Sequence, residues 1–478
     1  MTDMSNDRSR WVALYVLCTG MLMIVLDISI VNVALPYIQT DLGFTNAGLA
    51  WVVNAYLIAF AGLLLLSGRL GDLLGRRRVL LIGLAIFTVA SLLCGAAQTE
   101  WQLIAARFVQ GVGGALASAV ILGMIVTLFP EPAEQAKALG VYGFVASSGG
   151  AIGGLAGGVL TQLISWHWIF LVNIPIGILT LWLVTRTVPD DEGIGLQDGA
   201  DWSGAVLITG ALMLGVYAVV VSVPWAAAPS LVLLALFVWR QATAANPLMP
   251  LSLFRSRITV GANIVQMLTV AGMFGMFFLV TLYVQKVLGW SALEIGVGFL
   301  PVSLVMCVMS LWISDRLVAR FGAQPTLLAG TLVAAVGLGL FVLAPVDGSY
   351  WVHVLPGMTL LGLGMGGAFP AMMGIAMSDV APEDAGIASG LVGTAAEAGA
   401  ALGLAVLATL AAHRTDSILG SGEHSSAATK AALTSGYHLA FAVGTVLLVV
   451  AAALVATVLR SVEVHGHEMP AELETAAA

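Results

Sequence analysis

The sequence predicts an all-α membrane protein of about fourteen spans, and three observations lead there. Apolar residues make up 59% of the 478, and Asp, Glu, Lys and Arg only 9%, against roughly 25% charged in soluble domains. Apolar stretches of about 17 to 25 residues or more recur along the chain, each long enough for a hydrocarbon core about 30 Å thick. They are apolar all round, without the alternation a transmembrane strand needs, so helices are the form that satisfies their backbone in lipid.

In order, the spans fall at 12–36, 49–68, 79–97, 102–128, 136–161, 168–186, 203–221, 226–243, 259–287, 296–313, 325–345, 352–378, 385–412 and 437–459. The first is read as retained. Arg8 and Arg10 precede it as they would a secretory signal, but the stretch from Trp11 to Pro36 is longer than a typical signal core and lacks a small-residue cleavage site. With the N-terminus in the cytoplasm, fourteen of the eighteen Lys and Arg residues lie inside, Lys286, Arg414 and Lys430 lie outside or at outer helix ends, and Arg107 lies within a span. That satisfies the positive-inside rule and puts both termini on the cytoplasmic side of a cell (inner or plasma) membrane. Trp51, Trp101, Trp166, Trp168, Trp225, Trp290 and Trp351 fall near the expected interfaces, where aromatic belts account for most of them.

Two connections are longer than the rest: the acidic, Gly-bearing 187–202, read as a linker, and the Ser- and Ala-rich 413–435, read as an outer loop. Residues from Ser461 onward are polar and expected to be a disordered tail. His465 and His467, beside Glu463 and Glu468 in that tail, have no further ligands around them, and no metal site is expected. Cys18, Cys94 and Cys307 sit inside apolar runs without paired spacing and read as core residues. The net charge of -8 carries little information because the cations are so unevenly placed. The longest basic run, Arg76, Arg77 and Arg78, lies in a short loop, so nucleic-acid binding has no support.

An internal repeat appears when GRLGDLLGRRRVLLIG (68–83) is laid on DRLVARFGAQPTLLAG (315–330) at an offset of 247, where six of sixteen positions agree. GVGGA (111–115) meets GMGGA (364–368) at an offset of 253. A duplicated six-helix unit follows. It divides the chain into a tail (1–11), an N-terminal bundle (12–186), a linker (187–202), two inserted helices (203–243), a second linker (244–258), a C-terminal bundle (259–459) and a tail (460–478).

These segments also carry a family likeness. LDISIVNVALP (26–36), GRLGDLLGRRR (68–78), RFVQGVGGA (107–115), WHWIFLVNIPIG (166–177), LEIGVGFLP (293–301) and ASGLVGTAAEAGAALGLAV (388–406) together resemble the motifs of the major facilitator superfamily, in its fourteen-helix drug:proton antiporter branch. The resemblance implies a fold of two six-helix bundles plus two inserted helices. It also implies proton-coupled export of lipophilic or cationic compounds by alternating access, with no cofactor beyond the proton gradient. Its expected partners are a small-molecule substrate, protons and the bilayer, with one chain functional as a monomer. Two positions depart from the pattern. Gly154 stands where the fifth-helix motif carries Pro, and Glu397 where an uncharged amide is usual. Uptake by proton symport, and a membrane sensor or scaffold without transport, are the alternative readings. Enzyme activity is not expected, because no nucleophile–base set or metal-ligand cluster falls within the spans, and a nucleotide-cradling G-x-x-x-x-G-K-[ST] motif is absent.

Inside the spans and away from their ends, the charged residues are Asp27, Arg107 and Glu397. A charge at the bilayer centre costs about 2.5 to 3.5 kcal/mol on translocon scales, so each must face the interior and be paired or neutralised. Asp27 lies roughly 22 Å from the inner edge at 1.5 Å per residue, and Arg107 sits at a similar depth on a helix running the other way. The two are expected to meet, giving either a carboxylate whose protonation responds to substrate or a permanent pair fixing helix 1 against helix 4. Glu397, near the middle of span 13, is a candidate for attracting a cationic substrate or carrying a second proton, or else a protonated acid bonded between helices.

In the loop between spans 2 and 3, Asp72 and Arg76 stand at i, i+4 between Gly68 and Gly75. The resemblance implies that this segment latches the cytoplasmic ends of the two bundles, with the acid near a helix N-terminus of the other half. Arg77 and Arg78 read as positive-inside anchors. Span 5 carries Gly149, Gly150, Gly153, Gly154, Gly157 and Gly158, a small-xxx-small pattern that permits close packing, sealing or rocking. Asn32 and Gln110 are read as bonding across helices, with cavity lining as the alternative.

Overall fold

Apolar runs closed by turn residues become helices, because only then are their backbone groups satisfied in lipid. The computed structural model describes residues 2–45, 48–191, 193, 195, 199, 201–221, 223–245, 247–249, 251–380, 385–420 and 425–460. The N-terminal half holds α1 (Thr2–Leu42), α2 (Trp51–Leu74), α3 (Arg76–Gly95), α4 (Glu100–Leu128), α5 (Pro132–Leu163), α6 (Trp168–Leu171) and α7 (Asn173–Thr187). Then come α8 (Trp202–Val220) and α9 (Ala227–Thr243). The C-terminal half holds α10 (Arg257–Leu282), α11 (Ala292–Gly298), α12 (Leu300–Val308), α13 (Ser314–Phe321), α14 (Ala323–Leu340), α15 (Leu355–Met377), α16 (Ala385–Leu419) and α17 (Ser426–Thr457). Among the described residues, 12 helical stretches are long and apolar enough to cross a membrane, and shorter apolar helices occupy Ile152–Leu163 and Ala227–Thr243.

The turns follow from residue chemistry. Gly75, between α2 and α3, has φ +94°, and Gly322, between α13 and α14, has φ +88°, a region where a side chain is strained. These are the two glycines that the 247-residue offset superimposes. A close crossing follows each turn. A β-carbon on Gly83 of α3 would lie 2.6 Å from the Ala117 nitrogen, and one on Gly330 of α14 would lie 2.6 Å from the Gly364 carbonyl.

Several expectations need correction. Residues 413–435 are mostly helical: α16 runs on to Leu419 and α17 begins at Ser426. Alanine is the strongest helix former, and the Ser425 hydroxyl caps α17 by accepting from the Ala428 N–H at 3.2 Å. Trp166 is buried, with its indole N–H donating to Asp41 at 2.9 Å, so it belongs to the core and not to an aromatic belt. In the linker after α7, the Gly195 N–H bonds the Leu73 carbonyl at 3.1 Å. The tail from Ser461, with His465 and His467, lies outside the described residues.

The α5 glycines form two stripes with different tasks. β-Carbons on Gly153 and Gly157 would press on α1, at 2.7 Å from Ser29 Cβ and 2.7 Å from the Ile30 carbonyl, and Gly149 likewise meets Val25. The other stripe looks toward the C-terminal half. Gly158 meets the Ala292 carbonyl, and the Gly154 carbonyl lies under Gly296 of α11, while Gly150 has only Ser29 within reach. Beside this seam, the Tyr37 hydroxyl accepts from the Ala292 N–H at 3.1 Å, and Lys286 donates to Gln39. The halves are therefore closed on each other at the end of α1 away from Arg10.

The inserted pair is clamped by one carboxylate. Asp201 caps α8 by accepting from the Gly204 N–H at 3.0 Å, and also accepts from Arg240 at 2.9 Å, Gln241 at 2.8 Å and Ser203 at 2.8 Å. α8 then packs between the halves, with Gly62 of α2 against Thr209 and Gly215 against Leu402 of α16.

Two predictions follow from this packing. Gly153→Leu should destabilise the folded protein by about 1–3 kcal/mol through overpacking against α1, whereas Gly154→Ala, with nothing within 4 Å of its β-carbon, should be tolerated. Thermal unfolding in detergent separates them, and equal losses would contradict the two-stripe arrangement. Burial acts to raise Asp201, but the bonds from Arg240, Gly204, Ser203 and Gln241 prevail and hold its carboxyl below the usual carboxylate range. Its contribution is therefore present above the ordinary carboxylate pKa and lost as pH falls through the depressed folded value. Asp201→Asn should flatten the acid limb of the stability profile.

Candidate functional site

The site is assembled from six helices of the N-terminal half around Asp27. Asp27 and Arg107 are both buried, at 0% and 1% exposure. In a medium this apolar, neither charge survives without a full set of partners. Arg107 Nη1 donates to Asp27 Oδ2 at 2.5 Å and to Gln110 Oε1 at 2.6 Å, and its Nε donates to the Val52 carbonyl of α2 at 2.9 Å. Asp27 Oδ1 accepts from Gln110 Nε2 at 2.8 Å and from Asn173 Nδ2 at 3.0 Å. Gln110 Nε2 also donates to the Ser91 hydroxyl of α3 at 2.8 Å. Tyr56 of α2 and Phe170 of α6 cover the guanidinium, with ring centroids 4.5 and 5.6 Å from its carbon.

The geometry explains why each partner sits where it does. Gln110 lies one turn beyond Arg107, so both side chains leave the same face of α4 and reach α1 together. Gly111 and Gly114 bring α2 close, since a β-carbon on either would strike Tyr56. Asn173 stands at the start of α7, where its amide reaches Asp27.

The structure brings Asp27, Arg107 and Gln110 together. Asn32 is a correction: its amide donates to Ile28 O of its own helix at 3.2 Å and, among the described residues, bonds no other helix, because the carbonyl one turn back is the acceptor nearest an amide in a helix. Glu397 lies apart from this set, on α16, and its Oε2 is buried with no hydrogen-bond partner. Sequence reasoning did not single out Asn173, Ser91, Tyr56 or Phe170. Asn173 was in principle visible, as the one amide in the WHWIFLVNIPIG segment.

The loop 68–78 is held within its own half. Asp72 pairs with Arg76 at 3.2 Å, and Arg76 donates to Gly123 O at 3.1 Å and Thr127 at 3.0 Å, both on α4. Among the described residues no salt bridge of Asp72 or Arg76 reaches the C-terminal half. The segment after α7 supplies the other contacts. Asp191 accepts from the Arg76 and Arg77 backbone N–H groups at 2.6 and 2.9 Å, as a carboxylate does at a helix N-terminus, and Asp190 pairs with Arg77 at 3.2 Å. Gly68 has open space around it.

Membrane-length helices in two halves, one of them built around a buried, hydrogen-bonded carboxylate–guanidinium pair, define a polytopic membrane transporter. The chain belongs to the Major Facilitator Superfamily, whose profile matches residues 17–404. It is 38% identical to the puromycin resistance protein pur8 of Streptomyces alboniger, over 92% of this chain and 90% of that protein. It is 39% identical to the cephamycin export protein CmcT of Amycolatopsis lactamdurans, over 95% and 93%. Among solved structures it resembles a bacterial homolog of the human lysosomal transporter Spinster in an inward-facing, unoccupied conformation. There the TM-score is 0.66 and the identity 18%, covering 95% of this chain and 97% of that one.

Removing one member of the buried pair should cost more than removing its charge partner as well. Arg107→Ala is expected to lower stability by about 3–5 kcal/mol, because it strands the Asp27 carboxylate. Combining it with Asp27→Asn should recover much of the loss. Thermal unfolding of purified protein in detergent reads both, and an additive double variant would show that the two side chains act independently.

Proposed function

We propose that this protein is a secondary active exporter in which protons moving inward drive a lipophilic or cationic compound outward, by rocking of the two halves. The observation that carries the reading is the isolated, fully buried carboxylate of Asp27, held on a guanidinium at the heart of one half. Such a group changes charge only when its partners rearrange, which ties proton binding to conformation. An inward proton supplies about 2.3 kcal/mol per 100 mV of membrane potential. The relatives named for puromycin resistance and cephamycin export support the outward direction.

In this reading the chain crosses a cell membrane fourteen times, with α5 and α9 completing the count and both termini cytoplasmic. A single chain carries both halves and works as a monomer, with no cofactor other than the proton gradient. Glu397, unpartnered in the opposite half, serves as a second proton site and as the carboxylate that meets a cationic substrate. The bonded loop around Asp72 and Arg76 keeps its end of the N-terminal half rigid during rocking, and the Gly154–Gly158 stripe forms the seam that opens. The superfamily assignment is compatible with carriers of many compounds, so the compound class rests on these carboxylates and on the relatives' names.

The test is export in everted vesicles energised by respiration, using puromycin, lincomycin and a lipophilic cationic dye as probes. Wild type should release protons on addition of a transported compound, and a protonophore should abolish accumulation. Asp27→Asn should lose proton-driven transport completely while still inserting and folding, although with lowered stability because it strands the Arg107 guanidinium. Full transport by that variant would remove Asp27 from the coupling step.

A further inference from the structure

Two polar groups that the first site leaves unsatisfied lie on helices that pack against each other across the halves. Among the described residues, the Tyr56 hydroxyl of α2 is buried with no hydrogen-bond partner, and so is Oε2 of Glu397 on α16. One lacks an acceptor and the other lacks a donor, and each is costly to leave unmade in an apolar interior. α2 and α16 pack directly, with Leu65 against Gly390 and Leu64 against Gly393. The residue order falls on α2 as it rises on α16, so the helices are antiparallel here. Continuing the register one turn brings Glu397 level with Phe60, within about one helical turn of Tyr56. Tyr56 lies in the electrostatic field of Asp27, Arg107 and Glu397 together.

We propose that Tyr56 is a positioning residue that links the two carboxylate sites, its ring holding Arg107 on Asp27 and its hydroxyl donating to Glu397 when that carboxylate is charged. The tyrosine keeps its own proton throughout and acts only as a donor. With Glu397 protonated, the carboxyl makes little demand on the hydroxyl and the ring rests on Arg107, as seen here 4.5 Å away. With Glu397 charged, the hydroxyl is drawn toward α16, the ring leaves the guanidinium, and the restraint on the Asp27–Arg107 pair is relaxed. The two protonation events are thereby coupled through one side chain, and the inference deepens the export reading on which its transport consequence rests.

The charged and titratable groups around this link come from few elements. α1 contributes Asp27, α4 Arg107 and α3 Cys94. Near Glu397, α10 and α8 present Met267, Ala271 and Gly215 to α16, and α15 carries no charged residue. Tyr437, His438 and Lys430 of α17 lie toward the other end of α16, where Gly436 meets Ala411 and Thr415.

The test is an infrared titration of the protonated-carboxyl band in detergent, which needs no transport, with Glu397→Gln identifying the Glu397 band by its loss. In Tyr56→Phe that band should persist to a pH about one unit higher than in wild type, the shift expected for loss of one hydrogen bond to the charged form. An unchanged midpoint overturns the proposal whether or not the protein exports anything. A parallel measurement takes the pH profile of drug-driven proton release in Tyr56→Phe, Glu397→Gln and the double variant. Tyr56→Phe should shift the profile alone and add nothing on top of Glu397→Gln. Equal shifts in both backgrounds overturn the link. A wild type that releases no protons, with the infrared shift present, would overturn the export reading and leave the link standing.

Discussion

A charge pair sealed in an apolar bundle has to be completed before anything else can pack, and the N-terminal half is arranged accordingly. Arg107 spends its donors on α1, α2 and its own helix, while Asp27 collects bonds from α1's neighbours α4 and α7. Removing water raises the cost of every unmade bond, so the positions of six helices are set relative to one carboxylate. The glycines at 111 and 114 are the means by which backbone comes close enough to complete the set.

The C-terminal half repeats the turn and the close crossings but not the pair. Gly322 repeats the backbone of Gly75, and Gly330 repeats the approach of Gly83, yet the carboxylate on this side, Glu397, has one oxygen without a partner. One half has its buried carboxylate paired, and the other has a carboxylate oxygen left open. That asymmetry gives a duplicated fold two unlike sites, one for holding structure and charge together and one with unused capacity to bind.

What was legible in the sequence was whatever lipid makes expensive. Length and hydropathy marked the helices, and the rarity of charge in them marked Asp27, Arg107 and Glu397. What was not legible was cheaper. Asn173 and Ser91 are ordinary polar residues whose roles depend on helix rotation, and helices apolar on all sides carry no periodicity that fixes rotation. Asn32 looked equivalent to Gln110 in the sequence, but one bonds its own helix and the other joins three. The Ala-rich 413–435 read as a loop for want of hydrophobicity, although alanine holds a helix without needing lipid. Asp201 was hidden because an acid at a helix start is unremarkable until Arg240 and Gln241 are seen to close on it.

The fastening of the segment after α7 bears on where the molecule can bend. Asp191 grips the first two amides of α3 and Gly195 is bonded to Leu73, so the chain leaving the N-terminal half is tied to that half almost until Asp201 takes hold of α9. Beyond α9, Gln241 still holds the Met249 amide. Between Met249 and the start of α10 at Arg257, a short 3-10 helix, Leu251–Arg255, buries Leu253, so this connection is packed as well. The inserted pair is thus fastened at both of its connections, and the face of α8 carrying Gly215 rests on Leu402 of α16, making it the wedge that both halves share.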